Sequence, residues 1–309
     1  RQAQLVGQVA ENANTFEAVA TAWIASRAKW SPYYRKQIER TLRVDAYPYI
    51  GTLPMRSIKP AHLLAIVERI EGRGAATLAI LLLQWLSAIF RFAVLKLLAD
   101  TDPAAALRGA IDRPKVSHKK PLSKTDIPVF MKALSSYGGY RITVIAIRLL
   151  MLTFVRPGEL RQAEWKEFDL NAALWNIPAS RMKMREPHTV PLSAQAIELL
   201  RELNKYSGGQ DYLFPNLRTP KTCMTITTLN RALERMGYGG IFSAHGFRAT
   251  ASTILNELNY RSDVIERQLA HKEKNAIRNA YNRAEYLPER VAMMQAWANL
   301  IDDMANPQS

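Results

Sequence analysis

Residues 166–192 read KEFDLNAALWNIPASRMKMREPHTVPL, and this stretch decides the fold class. Apolar and polar side chains alternate with a period close to two in three short runs, at 166–170, 173–177 and 187–192, which predicts three strands joined by turns. Most of the chain on either side has the 3.6-residue period of helices. The sequence therefore predicts a mainly α fold with a small antiparallel β-sheet in its second part.

The first third of the chain contains only helical patterns. Apolar residues recur at helical spacing from Phe16, and prolines at positions 32 and 60 open two further helices. The segment 75–98 is apolar nearly all round, which predicts a buried helix at the centre of a bundle. A short helix is expected after Pro103. We therefore predict a helical-bundle domain over residues 1–112.

Residues 113–121 contain two prolines and several basic side chains and offer little to bury, so they are predicted to be a linker. Residues 122–309 are predicted to form a second, mixed α+β domain. It includes a helix over 275–281 and ends in a helix over 288–304 whose apolar face holds Val291, Met294, Trp297, Leu300 and Ile301.

The charge balance points to a polyanionic partner. The 309 residues include 42 Lys plus Arg and 27 Asp plus Glu, a formal net charge of +15. Nucleic acid is the first candidate for so basic a protein, and a basic protein without such a partner is the alternative. The single cysteine, Cys223, excludes an intramolecular disulfide and a thiolate metal cluster. With no secretory signal visible, we expect a cytoplasmic protein, and the first residue is not Met, so we expect a fragment of a longer chain.

Familiar catalytic motifs are missing from the sequence: there is no glycine-rich phosphate loop, no His-Glu-x-x-His and no cluster of aspartates for a metal. Six side chains remain as candidates. Arg156 follows an apolar helix and precedes Pro-Gly; it either serves a site or forms a salt bridge to Glu159. Lys183 lies between two predicted strands, where a hairpin tip can bring a proton donor into a groove, although a solvated turn lysine is the ordinary interpretation.

His245 and Arg248 are spaced as His-x-x-Arg at the start of a helix that Ser243 is expected to cap. Both side chains would then lie in the first turn, where the helix amides favour a bound anion. A helix cap with incidental charges is the alternative. His271 and Tyr281 follow near the end of the chain, and each alone is more often a packing residue.

Taken together, these residues resemble the active site of the tyrosine recombinases, the phage-integrase family. The similarity covers nearly the whole chain and is closest to prophage and genomic-island integrases lacking their amino-terminal arm-binding module. The sequence motifs that carry the similarity are Arg-Pro-Gly-Glu-Leu at 156–160, Met-Lys-Met-Arg-Glu-Pro-His-Thr-Val-Pro-Leu-Ser at 182–193, His-Gly-Phe-Arg at 245–248, Leu-Ala-His at 269–271 and Ala-Tyr-Asn-Arg-Ala-Glu-Tyr at 280–286. Phe247 stands where many relatives have leucine, which leaves the chemistry unchanged.

The resemblance implies a core-binding domain joined to a catalytic domain of the DNA breaking-rejoining type. It assigns phosphate binding to Arg156 and Arg248, proton donation to Lys183, the two family histidines to His245 and His271, and nucleophilic attack to Tyr281. Tyr286 is a rival nucleophile for which we favour a packing role. The C-terminal helix either folds back on its own domain or, as in the family, docks on a neighbouring protomer.

The function so implied is a site-specific DNA recombinase, a strand transferase that integrates or excises a mobile element through a 3′-phosphotyrosine intermediate without metal or ATP. A type IB topoisomerase and a catalytically silent DNA-binding protein are the alternatives. The expected partners are double-stranded DNA attachment sites, further copies of the chain in a tetramer on DNA, and accessory DNA-bending or directionality factors. Side chains expected to contact DNA are Arg35, Lys36, Arg40, Arg91, Lys119, Lys120, Arg181 and Arg185.

Overall fold

The chain forms two compact units in the computed structural model, which describes residues 14–114, 119–271 and 285–306. The units comprise residues 1–117 and 118–309, and we call them the N-terminal unit and the C-terminal unit. Each unit has its own apolar core. The division falls within the segment 113–121 that the sequence predicts to be a linker.

The N-terminal unit is built from helices around one apolar core. The predicted start of the second helix is confirmed: Ser31 Oγ accepts a hydrogen bond of 3.2 Å from the amide of Tyr34, and Pro32 occupies the first helical position. The segment expected to be a helix after Pro103 forms only a 3₁₀ turn at Ala105–Leu107. The helices of this unit are α1 (Phe16–Ala25), α2 (Pro32–Thr41), α3 (Tyr47–Ile50), α4 (Pro60–Gly72) and α5 (Ala76–Leu95), with a π-helical turn at Leu42–Ala46.

Helix α5 is the central helix of the N-terminal unit. It ends at Leu95, before the predicted end at 98, and Leu97 has a left-handed backbone with φ 59°. By length and composition α5 is the one helix in the described residues that could cross a membrane. Its side chains Leu82, Leu86 and Phe90 are fully buried among the other helices, as expected for the core helix of a bundle.

The C-terminal unit combines helices with a three-stranded sheet. Its most deeply buried helix covers residues Arg141–Thr153, where apolar side chains recur at helical spacing. The helix predicted over 275–281 lies outside the described residues. The elements are α6 (Asp126–Ser135), α7 (Arg141–Thr153), α8 (Pro157–Arg161), β1 (Phe168–Asp169), β2 (Leu174–Ile177), β3 (His188–Pro191), α9 (Ala194–Ser207), α10 (Thr228–Leu233), α11 (Gly246–Glu257), α12 (Ser262–Gln268) and α13 (Leu287–Ala305), with a π-helical turn at Glu234–Tyr238.

The sheet is antiparallel, in the order β1-β2-β3, and Trp175 pairs with Phe168 on one side and Val190 on the other. The first predicted strand, over 166–170, is too long: residues 165–167 form a 3₁₀ turn and β1 has only two residues. The Asp169 carboxylate accepts hydrogen bonds from the next two turn amides, at 171 and 172, so the chain reverses immediately.

The helix that carries Arg248 begins later than predicted. Ser243 does not cap it; His245 occupies the N-cap position and α11 starts at Gly246. A side chain at position 246 would collide with the ring of Phe242, since a Cβ there would lie 2.4 Å from a ring carbon. The close approach of Phe242 thus requires glycine at the helix start and leaves only Arg248 inside the first turn.

The C-terminal helix α13 packs on its own unit. Its buried side includes Met294, Trp297 and Ile301, and Trp297 Nε1 donates a 2.9 Å hydrogen bond to the carbonyl of Met151 in α7. The predicted apolar face is wrong at Val291, which is 48% exposed, because the neighbouring Arg290 is buried in its place. Docking on a neighbouring protomer stays a prediction for a DNA-bound assembly.

Candidate active site

Arg156 is held where two helices of the C-terminal unit meet. Helix α7 ends at Thr153, and the next residue, Phe154, has a left-handed backbone with φ 38°. Arg156 then occupies the N-cap position of α8, with Pro157 in the first helical position. The buried Glu159 accepts from the Arg156 amide at 2.8 Å and from its guanidinium at 2.7 Å. The salt bridge considered in the sequence therefore exists, and it fixes the orientation of the arginine. A third donor reaches the carbonyl of Ala270 at 3.2 Å.

Arg248 is the most deeply buried cation of the site, with 5% of its surface exposed. Its guanidinium donates to the carbonyls of Phe154 at 2.9 Å and Leu269 at 2.6 Å. Within the described part of the chain it forms no ion pair with a carboxylate. Burial, followed by repulsion from Arg156, lowers the pKa of Arg248 to about 10. The side chain is thus a buried, charged donor whose strongest electrostatic neighbour is another cation.

His271 joins Arg248 to an acidic side chain. Its Nε2 lies 3.0 Å from the Arg248 guanidinium, and its Nδ1 lies 2.7 Å from a Glu266 carboxylate oxygen. Because arginine can only donate, Nε2 must be the acceptor, and the proton is on Nδ1 and donated to Glu266. This geometry fixes one neutral tautomer of His271.

His245 lies beside these groups at the N-cap of α11, with an exposed side chain. Partial desolvation, then the positive charges of Arg248 and Arg156, lower the pKa of His245 below the usual value. At neutral pH the imidazole is therefore unprotonated and able to accept a proton.

The other two predicted catalytic residues are not seen in this cluster. Lys183 lies in the connection between β2 and β3 with its side chain exposed. Tyr281 lies outside the described residues. The structure thus brings Arg156, His245, Arg248 and His271 together, and the catalytic roles of all six residues stay predictions. Of the described residues, none form a group of three or more His, Cys, Asp or Glu side chains suited to a metal ion.

Arg181 has a different position from the one predicted for a DNA-contacting side chain. Only 12% of its side chain is exposed, and it forms a 2.7 Å ion pair with the buried Glu167 and donates to the carbonyl of Glu159. It therefore ties the β2–β3 connection to the sheet and to α8 instead of presenting a free cation. Arg185 is exposed in the same connection, with a left-handed backbone at φ 55°.

The remaining predicted DNA contacts lie on the surfaces of the two units. Arg35 is half-buried and donates to the carbonyls of Ile24 and Arg27, so it also closes the end of α1. Lys119 donates to the carbonyl of Phe242 at 3.4 Å. The exposed side chains of this group are Lys36, Arg40, Arg91, Lys119 and Lys120.

Sequence reasoning missed the polar residues behind the site. Gln268, Arg290 and His188 are buried and linked to one another by hydrogen bonds, and Glu266 orients His271. His188 belongs to the string at 182–193 that supports the resemblance, which was the available signal for a role there. Arg290 gives no such signal, because it is a charged residue outside the predicted apolar face of the C-terminal helix.

Comparisons with known proteins identify the family of this chain. Residues 16–110 match the model of the phage integrase central domain, and residues 120–287 match that of the phage integrase family. The integrase of Enterobacteria phage P4 is 41% identical over 311 residues, covering 95% of this chain and 71% of that protein. The prophage integrase IntZ of Escherichia coli K12 is 40% identical, covering 94% of this chain and 71% of that protein.

Solved structures show the same fold. The Tn1549 transposon integrase in complex with circular intermediate DNA superposes with a TM-score of 0.66 at 16% identity, covering 90% of this chain and 99% of that one. The lambda integrase dimer bound to a core site superposes with a TM-score of 0.67 at 18% identity, covering 84% of this chain and 96% of that one.

The family match favours recombination over the topoisomerase and the silent DNA-binding protein. The chain belongs to the phage integrase family of site-specific recombinases.

Proposed function

We propose that the chain integrates or excises a mobile DNA element by attack of Tyr281 on a backbone phosphate held between Arg156 and Arg248. The observation that carries this proposal is the environment of Arg248. A buried cation without a carboxylate in contact is costly, and the repulsion from Arg156 adds to that cost. A phosphodiester anion placed against both guanidiniums would neutralise them.

The two arginines suit the charge that develops in this reaction. Attack on a phosphodiester produces a pentavalent state with additional negative charge on the non-bridging oxygens. Preorganised guanidinium donors stabilise such charge, and a donor of this kind is typically worth about 3–4 kcal/mol in a water-excluded site. Because Glu159 and the carbonyl of Phe154 already orient the two side chains, little reorganisation would be needed.

The proton of the Tyr281 hydroxyl needs an acceptor as the phenol attacks phosphorus. His245 is neutral at pH 7, which suits this role, whereas the Nε2 of His271 is already used as an acceptor for Arg248. The P–O bond to the 5′ oxygen breaks as the new bond to Tyr281 forms. The leaving oxygen takes a proton, and Lys183 on the β2–β3 connection is the donor that the family resemblance assigns.

One phosphate ester replaces another in this step, so the energy of the bond is retained in a 3′-phosphotyrosine link. The 5′ hydroxyl of a second strand can then reverse the reaction on a new partner, and no ATP or metal ion is required by the chemistry. We extend the proposal to a tetramer acting on two duplexes in the bacterial cytoplasm with accessory DNA-bending factors. In support, a solved relative in fold, lambda integrase, is a tetramer on a Holliday junction.

The test uses a pool of nicked duplexes of varied sequence, on which cleavage releases a short fragment and traps the adduct. We expect a covalent protein–DNA complex with the wild-type chain and with Tyr286→Phe, and none with Tyr281→Phe. Tyr286 is a matched control because its ring lies beneath the Arg261 guanidinium, 5.1 Å away, and packs on the core. An adduct that depends on Tyr286 and survives loss of Tyr281 would contradict the proposal. Relaxation of supercoiled plasmids of any sequence would favour a topoisomerase.

A further inference from the structure

A buried polar network lies behind the active site and connects it to the C-terminal helix. Gln268, the last residue of α12, is fully buried. Its side-chain amide donates to the carbonyl of Thr153 at 3.2 Å, and its side-chain oxygen accepts two hydrogen bonds from Arg290 of α13, at 3.0 and 2.7 Å. All the hydrogen-bonding atoms of this side chain are therefore used in joining α7, α12 and α13.

The residues next to Gln268 hold both phosphate-binding arginines. The carbonyl of Leu269 accepts from Arg248 at 2.6 Å, and the carbonyl of Ala270 accepts from Arg156 at 3.2 Å. Ala270 has a left-handed backbone with φ 49°, a conformation that non-glycine residues adopt only when their surroundings hold it. His271 follows directly. A shift of the backbone at 268–271 would thus move three of the four clustered site residues.

Arg290 holds this segment in place from the C-terminal helix, through its hydrogen bonds to Gln268. Its side chain has no exposed surface, although it is a cation. Besides Gln268, it donates to the carbonyl of Thr189 in β3, at 2.5 Å, next to His188. His188 in turn binds the backbone carbonyl of Gln268 at 3.1 Å. The guanidinium of Arg290 therefore fixes the position of α12 relative to β3. The connection that carries Lys183 leads into this strand.

Burying an arginine in this position is not required for packing the helix. Met293, Met294 and Trp297 on the same helix already supply a well-buried apolar side. The nearest carboxylate, Glu285, is 3.8 Å from the guanidinium and is itself largely exposed, so it neutralises Arg290 only weakly. An apolar residue would avoid the cost of removing a charge from water. A role in holding Gln268 and β3 in position explains why a guanidinium with several donors is found here instead.

We propose that Arg290 is a positioning residue for strand cleavage: through Gln268 it sets the backbone segment 268–271 on which Arg156, Arg248 and His271 depend. This inference rests on the proposed function. It also means that docking of the C-terminal helix and the geometry of the phosphate-binding pocket are coupled through one side chain.

The test compares Arg290→Met with Ile301→Ala. Ile301 is buried on the same helix, about 16 Å further along its axis at 1.5 Å per residue, so its loss weakens docking without touching Gln268. On a nicked duplex at saturating concentration, we expect Arg290→Met to cleave roughly 10- to 100-fold more slowly with unchanged DNA affinity, because a displacement of about 1 Å at a reacting group has effects of this size. Ile301→Ala should lower Tm and leave the cleavage rate of bound DNA unchanged.

Two further variants test the route through Gln268. Arg290→Lys keeps the charge but has one donor nitrogen in place of three, and it should recover part of the rate. Gln268→Leu should slow cleavage as Arg290→Met does, and the double variant should be no slower than the slower single one, since both changes interrupt the same connection. The inference would be overturned if the reductions in cleavage rate multiply in the double variant. It would also be overturned if Arg290→Met and Ile301→Ala cleave at equal rates when their Tm values are matched.

Hydrogen exchange without DNA separates this inference from the proposed function. The amides of Leu269, Ala270 and His271 are bonded within the end of α12. Arg290→Met should speed their exchange, while Ile301→Ala should not, and unchanged exchange in Arg290→Met would overturn the inference. A wild-type chain that forms no adduct on any duplex would instead contradict the proposed function, whatever the exchange result.

Discussion

Acidification is expected to destabilise the C-terminal unit through His188. The ring is buried, its Nε2 donates to the carbonyl of Gln268, and its Nδ1 has no hydrogen-bond partner among the described residues. Burial, then the charges of Arg290 and Arg267, lower the pKa of His188 from 6.5 to about 3. The folded protein therefore keeps the ring neutral at pH values where the unfolded chain protonates it.

The size of the effect follows from that shift. Above pH 6.5 the ring is neutral in both states and contributes no pH dependence. Between pH 6.5 and about 3 only the unfolded chain binds the proton, so the free energy of unfolding falls by about 1.4 kcal/mol per pH unit. Lowering the pH from 7 to 5 should remove about 2 kcal/mol of stability through His188 alone.

The assay compares the wild-type chain with His188→Gln in urea at pH 7, 6 and 5. Glutamine cannot titrate in this range and retains a donor close to the position of Nε2. Hydrogen exchange of α7 reports the C-terminal unit specifically, because α7 lies in its core. The wild-type unit should lose about 2 kcal/mol more than the variant between pH 7 and 5. Identical pH slopes for the two proteins would refute the reasoning.

Three other predictions concern cations of the C-terminal unit. Arg248→Ala should raise the barrier to cleavage of bound DNA by about 3–4 kcal/mol, measured as a single-turnover rate, and a rate within a few-fold of wild type would count against phosphate binding. Arg181→Ala should destabilise the unit by about 3–5 kcal/mol in urea, because it leaves the buried carboxylate of Glu167 unpaired, whereas Arg185→Ala at an exposed position should change stability by less than about 0.5 kcal/mol. Lys183→Ala should slow cleavage, and a 5′-thiolate leaving group, which needs no proton, should restore the rate; without such rescue, Lys183 is not the proton donor.

Apolar periodicity predicted the helices well where one face is continuously buried. Helix α7 is the clearest case, since Ile145, Leu149 and Leu152 repeat at helical spacing and all are buried. The end of α5 was misplaced because Leu97 adopts a left-handed backbone that closes the last turn, and the start of α11 was misplaced because a tertiary contact decides it. At α11 the ring of Phe242 against Gly246 moves the start past the expected Ser243 cap, and this contact cannot be deduced from local propensity.

The grouping of the arginines and histidines was implied by the family resemblance, but the residues that support them were not. Arg181 was predicted to contact DNA, but its side chain is only 12% exposed because it pairs with Glu167 of the preceding 3₁₀ turn. Arg290 and Gln268 contact each other across two helices that are separate in sequence. Pairings of this kind depend on the packing of elements, which a single sequence does not reveal.

The most direct test of the account is an experimental structure of the covalent adduct trapped on a nicked duplex. The account predicts a phosphate esterified to Tyr281, with its non-bridging oxygens about 2.7–3.2 Å from guanidinium nitrogens of both Arg156 and Arg248. A phosphate linked to another side chain, or one that neither arginine contacts, would contradict it.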